Sequence, residues 1–132
     1  MASDDVTTFA QAWERSVEVR SDEIFLIFEG ADGRTVQWTY GDFDALVART
    51  AGLLAGKGVT PGDCVHVALA NCPAFVAVWL ASVRLGAWFV PSDPTGGVDE
   101  LAGPIARTLP MVGVCSSATA EFYRRALCSV GG

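Results

Sequence analysis

The stretch that decides the fold, residues 58–94, reads GVTPGDCVHVALANCPAFVAVWLASVRLGAWFVPSDP. No charged residue lies between Asp63 and Arg84, and an apolar run of this length could cross a bilayer as a helix. His66 and Pro73 argue against a membrane span, because polar groups inside the hydrocarbon are costly without partners and the proline would interrupt the helix. The sequence therefore predicts that this stretch belongs to a folded core rather than to a membrane.

The same stretch contains two different local signals. The segment CVHVALA, which follows the turn sequence TPGD, is typical of a short buried strand. The segment NCPAFVAVWLASVRLG predicts a helix with Asn71 or Cys72 as its N-cap, Pro73 in its first turn and Gly86 at its end. This helix is apolar on almost every face, so we expect it to be buried on more than one side of a layered α/β body.

The residues before this stretch predict three further elements. TFAQAWERSVEVR has Phe9, Trp13 and Val17 on one face of an amphipathic helix. EIFLIFEG and RTVQWTY are β-rich runs on either side of ADG, a pattern typical of a hairpin. TYGDFDALVARTAGLLAGKG predicts a long amphipathic helix that is capped by Thr39 and ends at a glycine.

The residues after it continue an alternating pattern. AWFVPSDP and MVGVCSS are predicted strands, VDELAGPIARTL is a short helix expected to be weakened or kinked at Gly103–Pro104, and ATAEFYRRALCSV is a last helix. The order from residue 59 onward is therefore β-α-β-α-β-α. Such alternation predicts an α/β fold, here a partial doubly wound and mostly parallel sheet with flanking helices. We expect residues 1–132 to form one partial domain.

Composition narrows the class of protein. The formal net charge of −6 and the isoelectric point near 4.5 argue against a nucleic-acid-binding protein. The start of the chain, MASDDVTTFAQAW, has neither the basic nor the apolar region of a signal peptide, which predicts a cytoplasmic protein with reduced thiols.

The four cysteines, the single histidine and the single lysine are the candidates for chemistry. No close C-x2-C pair exists, so a zinc site is disfavoured, and Cys64, Cys72, Cys115 and Cys128 are expected to be small buried residues with free thiols. His66 lies between two valines of a predicted core strand, which favours a hydrogen-bonded core histidine over a catalytic base.

The ordered series of motifs resembles the N-terminal region of the adenylate-forming enzymes, which include acyl-CoA synthetases, aryl-acid ligases, luciferases and peptide-synthetase adenylation domains. The resemblance covers most of the chain, from about Phe9 to Ser117. It consists of a Thr-Tyr start, a long helix ending in GKGVTPGD, a valine-rich strand, and NCPAFVAVWLASVRLGAWFVPSDP. Cys64 departs from the pattern, since the family usually has a basic residue there.

The resemblance implies that the complete enzyme uses ATP to convert a carboxylic acid substrate to an acyl-adenylate. Many members then pass the acyl group to coenzyme A or to a carrier protein. ATP, Mg and in many cases coenzyme A are thus implied for the full-length family, and none is expected to be bound by this chain alone. The chain would correspond to the N-terminal subdomain of the large domain, and its expected partner is the remainder of the ligase fold or a second copy of itself.

The phosphate-binding parts of the family are not found in this sequence. A Ser/Thr/Gly-rich loop followed by a lysine is missing, and Lys57 in AGKG is better explained as the end of a helix. The Mg-associated acid, the ribose-binding aspartate and the C-terminal catalytic lysine of the family would lie beyond residue 132. We therefore assign no catalytic, cofactor-binding or metal-binding residue. Two functions stay open: a segment of an acid-activating ligase that is inactive alone, and a stand-alone, non-catalytic binding or assembly module with a ligase-like substructure.

Overall fold

The computed structural model describes residues 8–131 as an α/β fold with two small sheets. Its helices and strands follow one another as α1 Phe9–Arg20, β1 Ile24–Glu29, β2 Thr35–Thr39, α2 Tyr40–Gly56, β3 Cys64–Ala68, α3 Pro73–Arg84, β4 Trp88–Pro91, α4 Val98–Thr108, β5 Val112–Cys115 and α5 Ala120–Ser129.

The main sheet has three parallel strands in the order β4-β3-β5, so both of its outer strands have an open edge within residues 8–131. Helices α2 and α3 cover the face of β3 that carries Val65 and Val67. Helices α4 and α5 pack on each other and cover the opposite face, which carries Ala68. Strands β1 and β2 form the predicted antiparallel hairpin. The predicted α/β class with a mostly parallel sheet is confirmed.

The stretch at residues 58–94 folds as its local signals predict. Strand β3 is followed by a tight turn, Cys72 is the N-cap of α3, and Pro73 occupies the first turn. Gly86, just beyond the helix end, has a φ of +73°, a conformation that a residue with a Cβ seldom adopts. Among residues 8–131, no helix combines the length and the apolar character that a membrane crossing requires.

One aspartate ties the first three helices together. The Asp44 carboxylate on α2 accepts a hydrogen bond of 2.8 Å from Trp13 Nε1 on α1 and forms an ion pair with Arg84 at the end of α3. The aromatic rings of Trp13, Phe25 and Phe43 pack against one another beside this carboxylate. The amphipathic faces predicted for α1 and α2 therefore meet in one core.

Helix α4 and the four cysteines differ from what the sequence predicts. The helix over VDELAGPIARTL runs through Pro104 without interruption, since Leu101 and Ile105 anchor it in the core on both sides of the proline. The prediction that the cysteines are buried is wrong: three are half-buried and Cys128 is exposed, although all four are free thiols. The burial of a cysteine depends on which sheet edges and helix faces are covered in the fold. The local sequence around the cysteine contains no information about this covering.

Candidate functional site

The central strand carries a fully buried histidine with both ring nitrogens occupied. His66 has an exposed fraction of 0%. Its Nδ1 lies 2.6 Å from the hydroxyl oxygen of Tyr123 on α5, and its Nε2 lies 2.7 Å from the hydroxyl oxygen of Ser92, just after β4. The three side chains therefore form a hydrogen-bonded chain, which we call the His66 network, between the middle of the sheet and the helix that covers it.

A glycine on the neighbouring strand makes room for this network. Gly113 on β5 is the register partner of His66 on β3. A Cβ atom at position 113 would lie only 2.1 Å from the Tyr123 hydroxyl oxygen and 2.4 Å from the ring carbon that bears it. The phenol thus occupies the space that a side chain on β5 would otherwise fill.

Burial keeps both titratable members of the network neutral. Desolvation lowers the pKa of His66, because the buried imidazolium would lose its hydration. Desolvation also raises the pKa of Tyr123 to about 12, with smaller contributions from the neighbouring Cys115 and Cys64 thiols. A neutral imidazole has one donor nitrogen and one acceptor nitrogen. Because a hydroxyl can both donate and accept, Tyr123 and Ser92 can satisfy the two nitrogens.

The His66 network is better suited to a structural role than to catalysis. A histidine that activates a serine must become positively charged, and a buried carboxylate normally stabilises that charge. Here the orienting partner is the neutral Tyr123 hydroxyl, and desolvation opposes protonation of the imidazole. The prediction that His66 is a satisfied core histidine is confirmed. Ser92 and Tyr123 were not identified from the sequence; the position of Tyr123 on the apolar face of α5 was the only available signal.

Lys57 is poorly placed to bind phosphate. It directly follows α2, and its backbone N–H donates to the carbonyls of Leu53 and Leu54 in the last turn. The C-terminal end of a helix carries partial negative charge, which repels an anion. The interpretation of Lys57 as a helix end is therefore confirmed.

The glycine-containing loop PTGGVD is equally unsuited to a nucleotide. The Asp93 carboxylate accepts hydrogen bonds from the backbone N–H and the hydroxyl of Thr95, and these bonds lower the pKa of Asp93. Two more acids, Asp99 and Glu100, occupy the first turn of α4. The loop is thus acidic and already hydrogen-bonded to itself. Within residues 8–131, no three His, Cys, Asp or Glu side chains cluster as a metal site. Neither this loop nor Lys57 therefore offers the groups that would hold the phosphates of ATP or its Mg ion.

Two cavities lie at the open edges of the sheet. One, of about 280 Å³, lies beside β4 and is lined by Asp63, Cys64, Trp88 and Leu109 among others. The other, of about 360 Å³, is a groove between α2 and β5, which we call the α2–β5 groove. Its walls are largely apolar, and neither cavity is lined by members of the His66 network.

The sequence is similar to enzymes that join acids to coenzyme A. The chain is 31% identical over 117 residues to a crotonobetaine/carnitine–CoA ligase of Citrobacter koseri, covering 89% of this chain and 23% of that enzyme. It is 37% identical over 81 residues to the enzyme of the same name from Salmonella paratyphi A, covering 61% of this chain and 16% of that enzyme. The chain thus spans less than a quarter of the length of these curated relatives.

Solved structures show the same fold. The N-terminal domain of FACL13 from Mycobacterium tuberculosis superimposes with a TM-score of 0.81 at 20% identity, covering 90% of this chain and 29% of that one. A benzoate CoA ligase from Burkholderia xenovorans gives a TM-score of 0.81 at 20% identity, covering 94% of this chain and 24% of that one. The sequence also matches the family described as AMP-binding enzyme over residues 13–129. The chain therefore belongs to the AMP-binding enzyme family and corresponds to an N-terminal portion of its acyl-CoA ligase members.

Proposed function

We propose that this chain is the N-terminal structural segment of an ATP-dependent ligase that activates a carboxylic acid and transfers it to coenzyme A, and that it is inactive alone. One observation carries the proposal: the family match extends over residues 13–129, yet the chain spans only 23% of a curated CoA ligase. The segment would then contribute a scaffold, and the reacting groups would come from the rest of the fold.

The charges of the described residues support inactivity in isolation. Forming an acyl-adenylate requires stabilisation of charge on the transferring phosphates, normally by Mg, backbone N–H groups and a cation. Lys57 lies at the C-terminal end of α2, which carries partial negative charge, and Asp93 places a carboxylate in the loop that contains PTGGVD. Both features disfavour phosphate binding. Each missing donor costs about a hundred- to a thousandfold in rate. The isolated chain is therefore expected to have no adenylation activity. A cytoplasmic location remains a prediction.

Reconstitution tests this function. The complementary protein is the Citrobacter crotonobetaine/carnitine–CoA ligase without the segment that matches this chain. Each protein alone and the mixture would be assayed for acid-dependent exchange of labelled pyrophosphate into ATP, with a panel of aliphatic and aryl acids. We expect exchange from the mixture only. Exchange by the isolated chain would contradict inactivity, and a stable but inactive mixture would favour a binding or assembly module.

A matched control separates assembly from chemistry. Lys57→Ala in this chain removes its only lysine, which the proposal gives no role at the phosphates. Exchange by the mixture should therefore be unchanged by this substitution. A loss of a hundredfold or more, with complex formation intact, would show that Lys57 contacts the nucleotide and that the chain contributes to catalysis directly.

A further inference from the structure

The loop between β4 and α4, residues 92–97, lies at the carboxyl end of the main sheet. Ser92 directly follows the last residue of β4, and α4 begins at Val98. The chain passes from β3 to β4 on one side and then back to β5 on the other side, so the connections reverse direction around β3. Open α/β sheets bind their ligands outside the carboxyl ends of their strands, at such a reversal. This general rule places the loop at the ligand-binding end of the sheet.

Ser92 connects this loop to the sheet. Its backbone N–H donates to the Val67 carbonyl of β3 at 2.8 Å, and its hydroxyl oxygen lies 2.7 Å from His66 Nε2. Among residues 8–131, the other hydrogen bonds of the loop, such as those from Thr95 to the Asp93 carboxylate, stay within the loop or reach the start of α4. The position of the loop relative to the sheet is therefore set at Ser92, and His66 contributes to it through the Ser92 side chain.

The burial of Tyr123 gives the His66 network a direction. Tyr123 is 4% exposed, and within residues 8–131 its hydroxyl has no hydrogen-bond partner other than His66 Nδ1. If Nδ1 carried the proton and donated to the phenol, the phenolic proton would be buried without an acceptor, which is costly. Unused acceptor lone pairs are tolerated more readily than an unused donor. Tyr123 therefore donates to Nδ1.

This direction determines the other half of the network. A neutral imidazole that accepts a hydrogen bond at Nδ1 carries its proton on Nε2. Nε2–H then donates to the Ser92 hydroxyl oxygen, and Ser92 keeps its own proton for another acceptor. The network is thus a one-way chain of donors that runs from α5 through His66 to the loop.

We propose that Tyr123 and His66 are positioning residues, which through this one-way chain of donors hold Ser92 and the loop in the geometry that the complete ligase needs for substrate binding. The inference rests on the proposed function, because it assigns the loop to the substrate side of that ligase. Neither residue contacts a reacting atom in this role. Tyr123 orients the imidazole, and the imidazole orients Ser92.

The tautomer of His66 provides the first test. His66 is the only histidine in the chain, so isotope-labelled histidine gives the NMR signals of a single imidazole. We expect the folded wild type to carry the proton on Nε2, with Nδ1 unprotonated. A proton on Nδ1 would overturn the inference, because Tyr123 would then accept and the chain of donors would not reach the loop.

Hydrogen exchange of this chain alone tests the link from Tyr123 to the loop. Tyr123→Phe keeps the ring that packs with α4 but removes the first donor, so the amides of Ser92, Thr95 and Gly96 should exchange about fivefold faster or more. Ser92→Ala should likewise accelerate Thr95 and Gly96, and the double variant should be non-additive because both changes break one chain. Asp44→Ala, the control, acts on the contacts of α1, α2 and α3 and should leave these rates unchanged. Unchanged rates in Tyr123→Phe, additive effects, or equal acceleration by Asp44→Ala would each overturn the inference.

Michaelis constants separate positioning from a merely structural role. This chain and its variants would be mixed with the Citrobacter ligase without the matched segment and assayed for pyrophosphate exchange. Tyr123→Phe should raise the KM for the acid or for ATP about threefold or more, whereas Asp44→Ala should lower only the maximal rate, through loss of folded protein. Unchanged KM values in Tyr123→Phe would refute the positioning role and leave the proposed function intact. Absence of exchange from the wild-type mixture would instead contradict the proposed function, and the tautomer and the loop exchange rates would still decide whether Tyr123 and His66 position the loop.

Discussion

Removal of the Tyr123 hydroxyl isolates the energetic contribution of the His66 network. Tyr123→Phe retains the aromatic ring beside Gly113, so the packing volume hardly changes. It removes the partner that lies 2.6 Å from Nδ1 of a histidine with 0% exposure. A buried polar group that loses its partner costs about 1–3 kcal/mol, because water cannot replace the lost bond. We expect the free energy of unfolding to fall by about this amount.

The chain provides a matched control in Tyr40, its other tyrosine. Tyr40 is half-buried and packs against Trp13 and Phe25, and its hydroxyl makes no hydrogen bond with the residues that the structure describes. Tyr40→Phe removes the same atom from an aromatic cluster without breaking a network. Its effect should stay within about 0.5 kcal/mol.

Urea unfolding followed by tryptophan fluorescence measures both variants. With a slope of about 2 kcal/mol per molar urea, the midpoint of Tyr123→Phe should fall by about 0.5–1.5 M at an unchanged slope. The midpoint of Tyr40→Phe should hardly move. Equal midpoints for the two variants would refute the hydrogen bond between Tyr123 and His66.

The free energy of unfolding, measured as the pH is raised, provides an independent test of the same network. The pKa of Tyr123 rises from 10.0 to about 12 in the folded state, so the unfolded chain loses this proton first as pH increases. The stabilisation is complete below pH 10 and is lost as the pH rises towards 12. This loss should be present in the wild type and reduced in Tyr123→Phe.

Three further substitutions test other contacts. Gly113→Ala places a Cβ 2.1 Å from the Tyr123 hydroxyl oxygen and should destabilise the fold by about 1–3 kcal/mol in thermal melts; an unchanged melting temperature would contradict the close approach. Burial lowers the pKa of His66 from 6.5, so the unfolded state binds more protons than the folded state in acid. The free energy of unfolding should therefore decrease as the pH falls below 6.5, by at most about 1.4 kcal/mol per pH unit. His66→Gln cannot titrate and should show a shallower pH dependence of its urea midpoint, whereas an equal dependence would assign the effect to other groups. Asp44→Ala leaves the half-buried Arg84 without its carboxylate and should cost about 1–2 kcal/mol, and a double-mutant cycle with Arg84→Ala should show coupling between the two sites.

The local structure of this chain could be predicted because its signals are local. Proline is favoured in the first turn of a helix, where Pro73 lies, and Gly86 fits the left-handed position just after a helix. Thr39 caps α2 by accepting a hydrogen bond from the backbone N–H of Asp42. Each of these features is set by residues a few positions apart, which is the range over which sequence pattern is informative.

The His66 network could not be predicted in the same way. Ser92 is 26 positions and Tyr123 57 positions from His66, and they meet only because β3 lies between β4 and β5 while α5 folds back over them. The burial of the cysteines was predicted wrongly for a related reason. Exposure at Cys64 or Cys115 depends on the covering of the sheet edges, which is a property of the assembled fold.

The close approach of Gly113 and Tyr123 makes the side chains at these two positions sterically interdependent. A side chain at position 113 should be accommodated at lower cost once Tyr123 has been replaced by a smaller residue, because the reverse order passes through an overpacked intermediate. The order of substitutions is thereby constrained. Among relatives, a bulky residue at one position is expected to coincide with a small residue at the other.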